Sequence, residues 1–361
     1  MRPAWAMSKL RLSGQLFPRH VKPQADELLS SWLTRLSLAH GLPPRAFGTI
    51  LWPARQIWIG DIDRRATPDM LSILAQKTAT SHRRAFATTL SAYDGALWEG
   101  LESSSSRHWL LLCAIQRQRR GRPGLQYCPQ CLRADVTPYF RRCWRLGFVT
   151  VCTEHRRRLL DRCPACGDPV NFHLLPPDTD TITRCYQCQL DFVVVEAPPL
   201  DTSPGHQRLI TFQTRLLRAL TTGWYPLTEG QMVRLPHYLR VVRHLGGLLV
   251  THRDADHRRA GFCRRVEQPY FVPCLPTSKQ WALEGLSVTD RYRLLLLLAW
   301  WLEDWPEQFV TVCFDLLIWP RDLLRRMASP PPWYEHTVEK VSWSEALKRA
   351  LQAYNNEWNA S

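Results

Sequence analysis

Hydrophobic residues recur every three or four positions along several stretches of the chain, a spacing that places them on one face of an α-helix. The clearest stretch near the N-terminus carries Leu28, Leu29, Trp32, Leu33 and Leu36. Asp26 precedes it and is expected to cap the helix, and Gly41 with the prolines at 43 and 44 is expected to end it. The sequence therefore predicts an N-terminal helix with one buried face.

A second helical unit is predicted after it. Thr67 and Pro68 are typical of a helix start, and Ser81 can cap a following helix. The residues expected to form its small core are Leu71, Leu74, Ala75, Phe86 and Leu90. This pattern favours a helix-turn-helix whose second helix exposes His82, Arg83, Arg84, Thr88 and Thr89. Such a helix can enter the major groove of DNA, but the same unit can serve only for packing or dimerisation.

Further helices are predicted beyond the prolines at 198 and 199. Residues 206–221 and 236–249 are amphipathic, whereas residues 251–265 have the composition of an exposed basic loop. A second helical group is expected to start at Thr289 or Asp290, with new helices beginning at Pro306 and Pro320 and a last helix over 342–353. The C-terminal part is therefore predicted to be all-helical.

Four short motifs, each with two ligand-type residues three positions apart, lie between these helical parts. Their ligands are Cys128 and Cys131, Cys152 and His155, Cys163 and Cys166, and Cys185 and Cys188. Taken in order they give one set of three cysteines and a histidine and one set of four cysteines, the number and type of ligands that structural zinc requires. The gaps within the two sets are long enough for the β-hairpin of a zinc ribbon. A redox motif or a coincidence is the alternative, which four tandem motifs disfavour, so two structural zinc ions are predicted.

The predicted fold is mainly α with small β parts, in three domains. Residues 1–106 would form the helix-turn-helix domain, residues 107–199 two tandem zinc ribbons, and residues 200–361 the all-helical domain. The serines at 103–106 suit a linker. The five remaining cysteines show no disulfide pattern, and no run of about 20 apolar residues is present to cross a bilayer, so a cytoplasmic protein is expected.

Basic charge is the strongest compositional bias. The formal net charge is +15, and 13 arginines but no lysine lie between residues 107 and 162. Because guanidinium groups match phosphate oxygens, this excess favours binding to nucleic acid or to an acidic protein over a merely solvated basic face. The candidate nucleic-acid contacts are Arg83, Arg84, Arg119, Arg120, Arg141, Arg142, Arg156, Arg157 and Arg158.

Two long strings, FPRHVKPQADELLSSWLTRLSLAHGL and YCPQCLRADVTPYFRRCWRLGFVTVCTEHRRRLLDRCPACG, together with the later CYQCQLDF, resemble the TniQ family of bacterial transposons. The resemblance covers about the first 200 residues. It implies an adaptor without catalytic activity, which joins a target, found by its own DNA binding or by a CRISPR RNA-guided complex, to an AAA+ ATPase that recruits a DDE transposase. It also implies that the eight predicted ligands hold zinc. A homodimer through either helical end is expected.

Two other functional classes fit parts of the sequence. A zinc-ribbon transcription regulator would explain the helix-turn-helix and the charge, but not the TniQ-like strings. A nuclease or transposase would need converging carboxylates to hold Mg²⁺. Asp61 and Asp63 are too few for such a site and, followed by Arg64 and Arg65, are expected to form an ion pair in a loop.

Overall fold

The computed structural model describes residues 15–99, 108–111, 125–274, 283–325, 327 and 329–343. These residues form two compact units. The first unit contains the described residues up to Asp94, those from 108 to Leu200, and the segment Glu284–Thr289. The second contains Gly95–Glu99 and the described residues of Asp201–Leu283 and Asp290–Ser361. The three-domain organisation with boundaries at 106 and 199 stays a prediction.

The first unit is built from short helices and one small sheet. Its helices are α1 (Leu29–Ala39), α2 (Pro44–Leu51), α3 (Ile62–Arg65), α4 (Pro68–Lys77), α5 (His82–Phe86) and α6 (Pro129–Ala134). Its strands are β1 (Val151–Cys152) and β2 (Arg157–Arg158), which pair antiparallel. Single 3₁₀ turns lie at Leu90–Tyr93, Arg142–Arg145, Phe172–Leu174 and Phe192–Val194.

The second unit combines longer helices with a β-hairpin. Its helices are α7 (Pro204–Thr222), α8 (Leu235–Val250), α9 (Ala255–Arg265), α10 (Val288–Trp301), α11 (Glu307–Asp315), α12 (Pro320–Leu324) and α13 (Pro332–Trp343). The first two residues of α10 belong to the first unit, and the rest of the helix, from Asp290, belongs to the second. The hairpin consists of β3 (Trp224–Thr228) and β4 (Gln231–Arg234). The prediction of a mainly helical protein with small β parts is thus confirmed.

The N-terminal helix forms as predicted, but its start differs. Leu29, Trp32, Leu33 and Leu36 of α1 are buried in a core with Phe17 and Phe47, and Gly41, with a φ of +64°, follows its C-terminal end. Asp26 does not cap α1, because its carboxylate accepts hydrogen bonds from Arg142 Nε (3.2 Å) and the backbone N–H of Cys143 (3.1 Å). The charged guanidinium of Arg142 therefore takes the place of the backbone N–H groups of α1 from which a capping Asp26 would accept.

The predicted helical pair at residues 67–90 is only partly reproduced. The backbone N–H of Arg84 donates to Ser81 Oγ (3.3 Å), which confirms the cap, and Leu71, Leu74, Ala75 and Leu90 are buried. However, α5 has only five residues and ends at Phe86. The helical periodicity that predicted an exposed face including Thr88 and Thr89 therefore does not extend to these two residues. Phe86 is exposed and Thr88 and Thr89 are buried, contrary to expectation. The helix-turn-helix itself stays a prediction.

One buried arginine joins distant parts of the first unit. Arg145 is fully buried and contacts Asp61 (2.5 Å), Asp63 (2.9 Å) and the carbonyl oxygen of Leu111 (2.6 Å). Asp63 also accepts a hydrogen bond from the backbone N–H of Ser30 at the start of α1 (2.7 Å). Burial raises the pKa of Asp63 to about 6 against the opposing effect of Arg145. Asp61 and Asp63 thus pair with Arg145, a partner that sequence reasoning missed, and Asp63 lies in α3 and not in a loop.

The region between the two amphipathic helices corrects the all-helical prediction. Helices α7 and α8 lie where they were predicted, but the turn-rich stretch between them forms the β3–β4 hairpin. Gly223 enters it with a φ of +78°. Tyr225 of β3 is buried and stacks on Tyr238 of α8, with ring centroids 3.8 Å apart. Alternating burial along only a few residues was too short a signal to predict a strand.

Residues 251–265 are mostly helical, which corrects the predicted basic loop. Arg258 and Arg259 of α9 are almost fully buried. Arg258 contacts Asp322 (2.7 Å), and Arg259 donates to the carbonyl oxygen of Leu249 (2.6 Å) and contacts Asp256. A buried guanidinium is tolerated only when its charge and its N–H groups find partners. Most of these partners lie elsewhere in the sequence.

The later helix starts agree with the sequence. α10 begins at Val288, next to the predicted Thr289, Pro306 precedes α11, and Pro320 opens α12. Helix α13 was not predicted as an element of its own. Of the last predicted helix, residues 344–353 lie outside the described part of the chain.

We expect Arg145→Met to lower the free energy of unfolding by about 3–5 kcal/mol, because it leaves the buried carboxylate of Asp63 and the partly buried one of Asp61 without their counter-charge. Arg55→Met is the matched control, since Arg55 pairs with Asp69 at the surface and such pairs contribute less than about 1 kcal/mol. Urea unfolding of both zinc-loaded variants, followed by tryptophan fluorescence, measures the difference. Equal losses would contradict the structural role of Arg145.

Candidate metal centres

The first ligand set, which contains the histidine, is assembled from a helix start and a hairpin. Cys128 precedes α6 and Cys131 lies in its first turn, whereas Cys152 ends β1 and His155 lies in the turn before β2. His155 Nδ1 lies 3.8, 3.3 and 3.5 Å from the sulfurs of Cys128, Cys131 and Cys152. The sulfurs of Cys131 and Cys152 are 3.5 Å apart. The four ligand atoms thus surround a single point.

The second set, of four cysteines, brings together Cys163, Cys166, Cys185 and Cys188. The sulfurs of Cys163 and Cys188 are 3.5 Å apart, and those of Cys166 and Cys185 are 3.6 Å apart. Cys163 and Cys185 are buried, whereas Cys166 and Cys188 are exposed. In both sets all four ligand atoms lie within 4.8 Å of one another.

Both sets fit zinc. Tetrahedral zinc with Zn–S and Zn–N bonds of about 2.3 and 2.0 Å requires sulfur–sulfur separations of about 3.8 Å and sulfur–nitrogen separations of about 3.5 Å. The observed distances lie close to these values. Because the protein supplies all four ligands of each set, both are compatible with structural zinc ions, as predicted.

The expected ribbon hairpins are not where the sequence placed them. In the first gap, residues 131–152, the chain forms the rest of α6 and the 3₁₀ turn Arg142–Arg145. The hairpin β1–β2 instead contains the motif Cys152–His155 itself, with Cys152 opposite Arg157. Around the second set, the described chain shows only an isolated bridge between Arg184 and Asp191. Ligand spacing fixes which residues converge, but leaves the path between them open.

Three of the four motifs share a strained backbone position. The residue directly after the second ligand has a positive φ in Gly167 (+76°), Arg156 (+49°) and Gln189 (+60°). This left-handed conformation turns the chain away from the metal, and it is unfavourable for residues other than glycine. In the remaining motif the chain continues into α6 instead. The metal set therefore imposes a conformation that Arg156 and Gln189 adopt against their preference.

Burial affects the protonation of two thiols of the second set. It raises the pKa of Cys163, and it raises the pKa of Cys185 to about 12. Cysteine binds zinc as the thiolate, so metal binding must displace protons from these residues. Acidification is accordingly expected to oppose zinc binding.

The predicted nucleic-acid contacts are in part occupied by protein contacts. Arg141 forms two hydrogen bonds with Asp135 (3.0 and 2.9 Å), and Arg142 pairs with Asp26 and donates to the carbonyl oxygen of Ala87 (2.7 Å). Arg84 donates to the carbonyl oxygen of Pro23, whereas the side chain of Arg83 is exposed. Three of these four arginines are thus engaged by acceptors within the protein.

The basic run after His155 is half-buried. Arg156, Arg157 and Arg158 are intermediate in exposure, and Arg157 donates to the carbonyl oxygen of Ala197 (2.7 Å) and approaches Glu196 (3.4 Å). Arg119 and Arg120 lie outside the described residues. Sequence reasoning passed over a basic stripe in the second unit, Arg240, Arg243 and His244, although their spacing on α8 could have indicated it.

Comparison with known proteins identifies part of this unit. Residues 18–159 match the model of the TniQ family. The match confirms the resemblance expected from the sequence motifs. The matched segment contains α1 to α6 and the complete histidine-containing set, and it ends before Cys163, so the four-cysteine set lies beyond it. No curated protein matches the chain. Among the described residues, no helix is both long and apolar enough to span a bilayer.

We expect metal analysis to find about two zinc ions per chain, since each four-ligand set holds one. Cys163→Ser should reduce the content to about one and lower the melting temperature, because metal binding and folding are coupled. Cys274→Ser, which alters an exposed cysteine outside both sets, should keep both ions. A wild-type content near one ion, or unchanged stability of Cys163→Ser, would contradict the assignment.

We expect Arg156→Gly to be more stable than Arg156→Ala by about 1 kcal/mol, because both lose the same side chain and only glycine relieves the positive φ. At Arg157, which lies in β2, the order should reverse by about 0.5–1 kcal/mol, since glycine weakens a strand. Thermal unfolding of the four zinc-loaded variants provides the comparison. The same order at both positions would refute the backbone explanation.

Proposed function

We propose that this protein is a non-catalytic transposition adaptor. It would link recognition of a target site to an AAA+ ATPase and, through the ATPase, to the transposase. The similarity of residues 18–159 to the TniQ family carries the proposal, because proteins of this family work in transposition. A generic zinc-ribbon regulator would explain the helical N-terminal part and the basic charge, but not this match.

The chemistry of the two metal sets supports an adaptor. A catalytic zinc keeps a coordination position for water or substrate, whereas both sets here have four protein ligands. Asp61 and Asp63, the acidic pair considered as a Mg²⁺ site, are instead bound to Arg145. The zinc ions therefore serve the fold in this proposal.

The partners follow from the same proposal. The target would be found either by a CRISPR RNA-guided complex or by direct DNA binding, and a homodimer would present two copies of each surface. Direct contact with nucleic acid in the first unit would use Arg83 and the run Arg156 to Arg158, because Arg83 is exposed and the run is fixed by the ligand His155. A bacterial cytoplasmic location, on the nucleoid during insertion, fits these partners.

The test is an insertion assay with every other transposition component present. We expect omission of the protein to lower insertion at the target by at least about tenfold, or to randomise the sites, because an adaptor acts before strand transfer. The purified protein alone should not nick DNA in Mg²⁺. Unchanged insertion frequency and site choice without the protein, or metal-dependent nicking by it, would refute the proposal.

A further inference from the structure

The second unit holds a basic cavity of about 860 Å³ beside α8. Its charged and titratable lining includes Arg240, Arg243, His244, His252, Arg253 and Arg325. Leu248 and Met327 add apolar surface. A volume of this size is typical of ligand-binding pockets, and its four arginines would favour an anionic ligand.

The basic residues form an ordered stripe on α8. Arg240, Arg243, His244, Gly247 and Thr251 line the cavity at intervals of three and four, so they share one side of the helix or its C-terminal end. The side facing the core carries Leu239, Val242, Leu245 and Leu249, all of them buried. The helix thus separates an apolar face from a basic face that lines the cavity.

The described acidic residues nearby do not neutralise this charge. Among the described lining residues, Asp322 is the one carboxylate, and it already contacts Arg258 (2.7 Å) and His252 (3.3 Å). Arg258 is buried, so Asp322 compensates a charge behind the cavity wall. Asp254 approaches Arg253 (3.5 Å) at the surface, where such a pair contributes little. The cavity therefore keeps a net positive charge.

The basic surface continues beyond the cavity. A neighbouring cavity of about 560 Å³ shares His252, Arg253, Asp322 and Arg325 with the first and adds Arg321. Because they share these residues, the two cavities form one track, and its described lining contains five arginines. A compact anion would occupy only part of such a track, whereas an extended chain of phosphates can follow it.

We propose that this track binds the phosphodiester backbone of DNA. Arg240, Arg243, Arg253, Arg321 and Arg325 would contact phosphates, and the apolar surface of Leu248 and Met327 would face a sugar or base. The contact would be insensitive to sequence, because the backbone carries no base information. The inference rests on the proposed function in one respect, which is that the bound DNA would be the target of transposition.

The test measures binding of a fluorescent DNA duplex, about 30 base pairs long, to the full zinc-loaded protein as salt is varied. We expect Arg253→Gln/Arg325→Gln to weaken binding by about ten- to a hundredfold at about 0.1 M salt and to reduce the log–log salt slope by about 2, because each lost phosphate contact removes about 0.9. The matched control is Arg218→Gln/Arg264→Gln, which removes two exposed arginines of the same unit outside the cavities. It should keep most of the affinity and slope.

Each other outcome overturns the proposal. Equal losses in both double variants would mean unspecific attraction to a basic protein. Loss of binding in Arg156→Gly/Arg158→Gln, with the cavity variant unchanged, would place the contact in the first unit. Stabilisation by ATP or inorganic phosphate without any DNA binding would assign the cavity to a free phosphate compound. None of these assays measures transposon insertion, so a negative result in them leaves the adaptor proposal intact.

A wild-type measurement covers the case in which the cavity variant does not fold. Phenylglyoxal modifies exposed arginines, and mass spectrometry reports the modified positions. We expect the DNA duplex to protect Arg253 and Arg325 at least about fivefold, and to leave Arg218 and Arg264 unprotected, since a bound backbone covers only the track. Equal modification of all four with and without DNA would overturn the assignment.

Discussion

The first unit depends on the complete burial of one positive charge. Arg145 has no access to solvent, and a buried guanidinium is stable only where opposite charges and hydrogen-bond acceptors surround it. Asp61, Asp63 and the carbonyl oxygen of Leu111 meet this requirement, and Ser30 fixes Asp63 in turn. The start of α1, the region of α3 and the chain between the first metal ligands are thereby held in one arrangement. Zinc closes a local loop, whereas Arg145 and Asp63 join parts of the chain 82 residues apart.

Many arginines of this protein stabilise the fold. Arg142 pairs with Asp26, Arg141 with Asp135, and Arg258 with Asp322. A guanidinium can bind a carboxylate and a carbonyl oxygen at once, which suits it to joining short segments that have few strands of their own. Net charge alone therefore overstates the basic surface. Only the position of each arginine shows whether it stabilises the fold or contributes to that surface.

The sequence predicted the features that neighbouring residues determine. The eight metal ligands, the cap at Ser81 and the helices α7 and α8 each follow from spacing within a few turns of chain. The errors arise where a distant partner decides. Asp26 was assigned to a helix cap because its partner Arg142 is 116 residues away, and residues 251–265 were predicted as a loop because Asp322, which compensates the buried Arg258, is 64 residues away. The spacing of Arg240 and Arg243 could have indicated the basic face of α8, but the track also needs Arg253, Arg321 and Arg325 from other segments, which spacing along α8 does not reveal.

The two metal sets differ in what surrounds their sulfurs. Cys128, Cys131 and Cys152 are all buried, whereas Cys166 and Cys188 of the second set lie at the surface. Chelators and oxidants reach an exposed thiolate without any opening of the fold, so the second ion should exchange much faster than the first. Storage with a chelator or in air would then yield chains that retain the ion of the histidine-containing set and have lost the other. The equilibrium affinity of the two sites can be similar while their lifetimes differ.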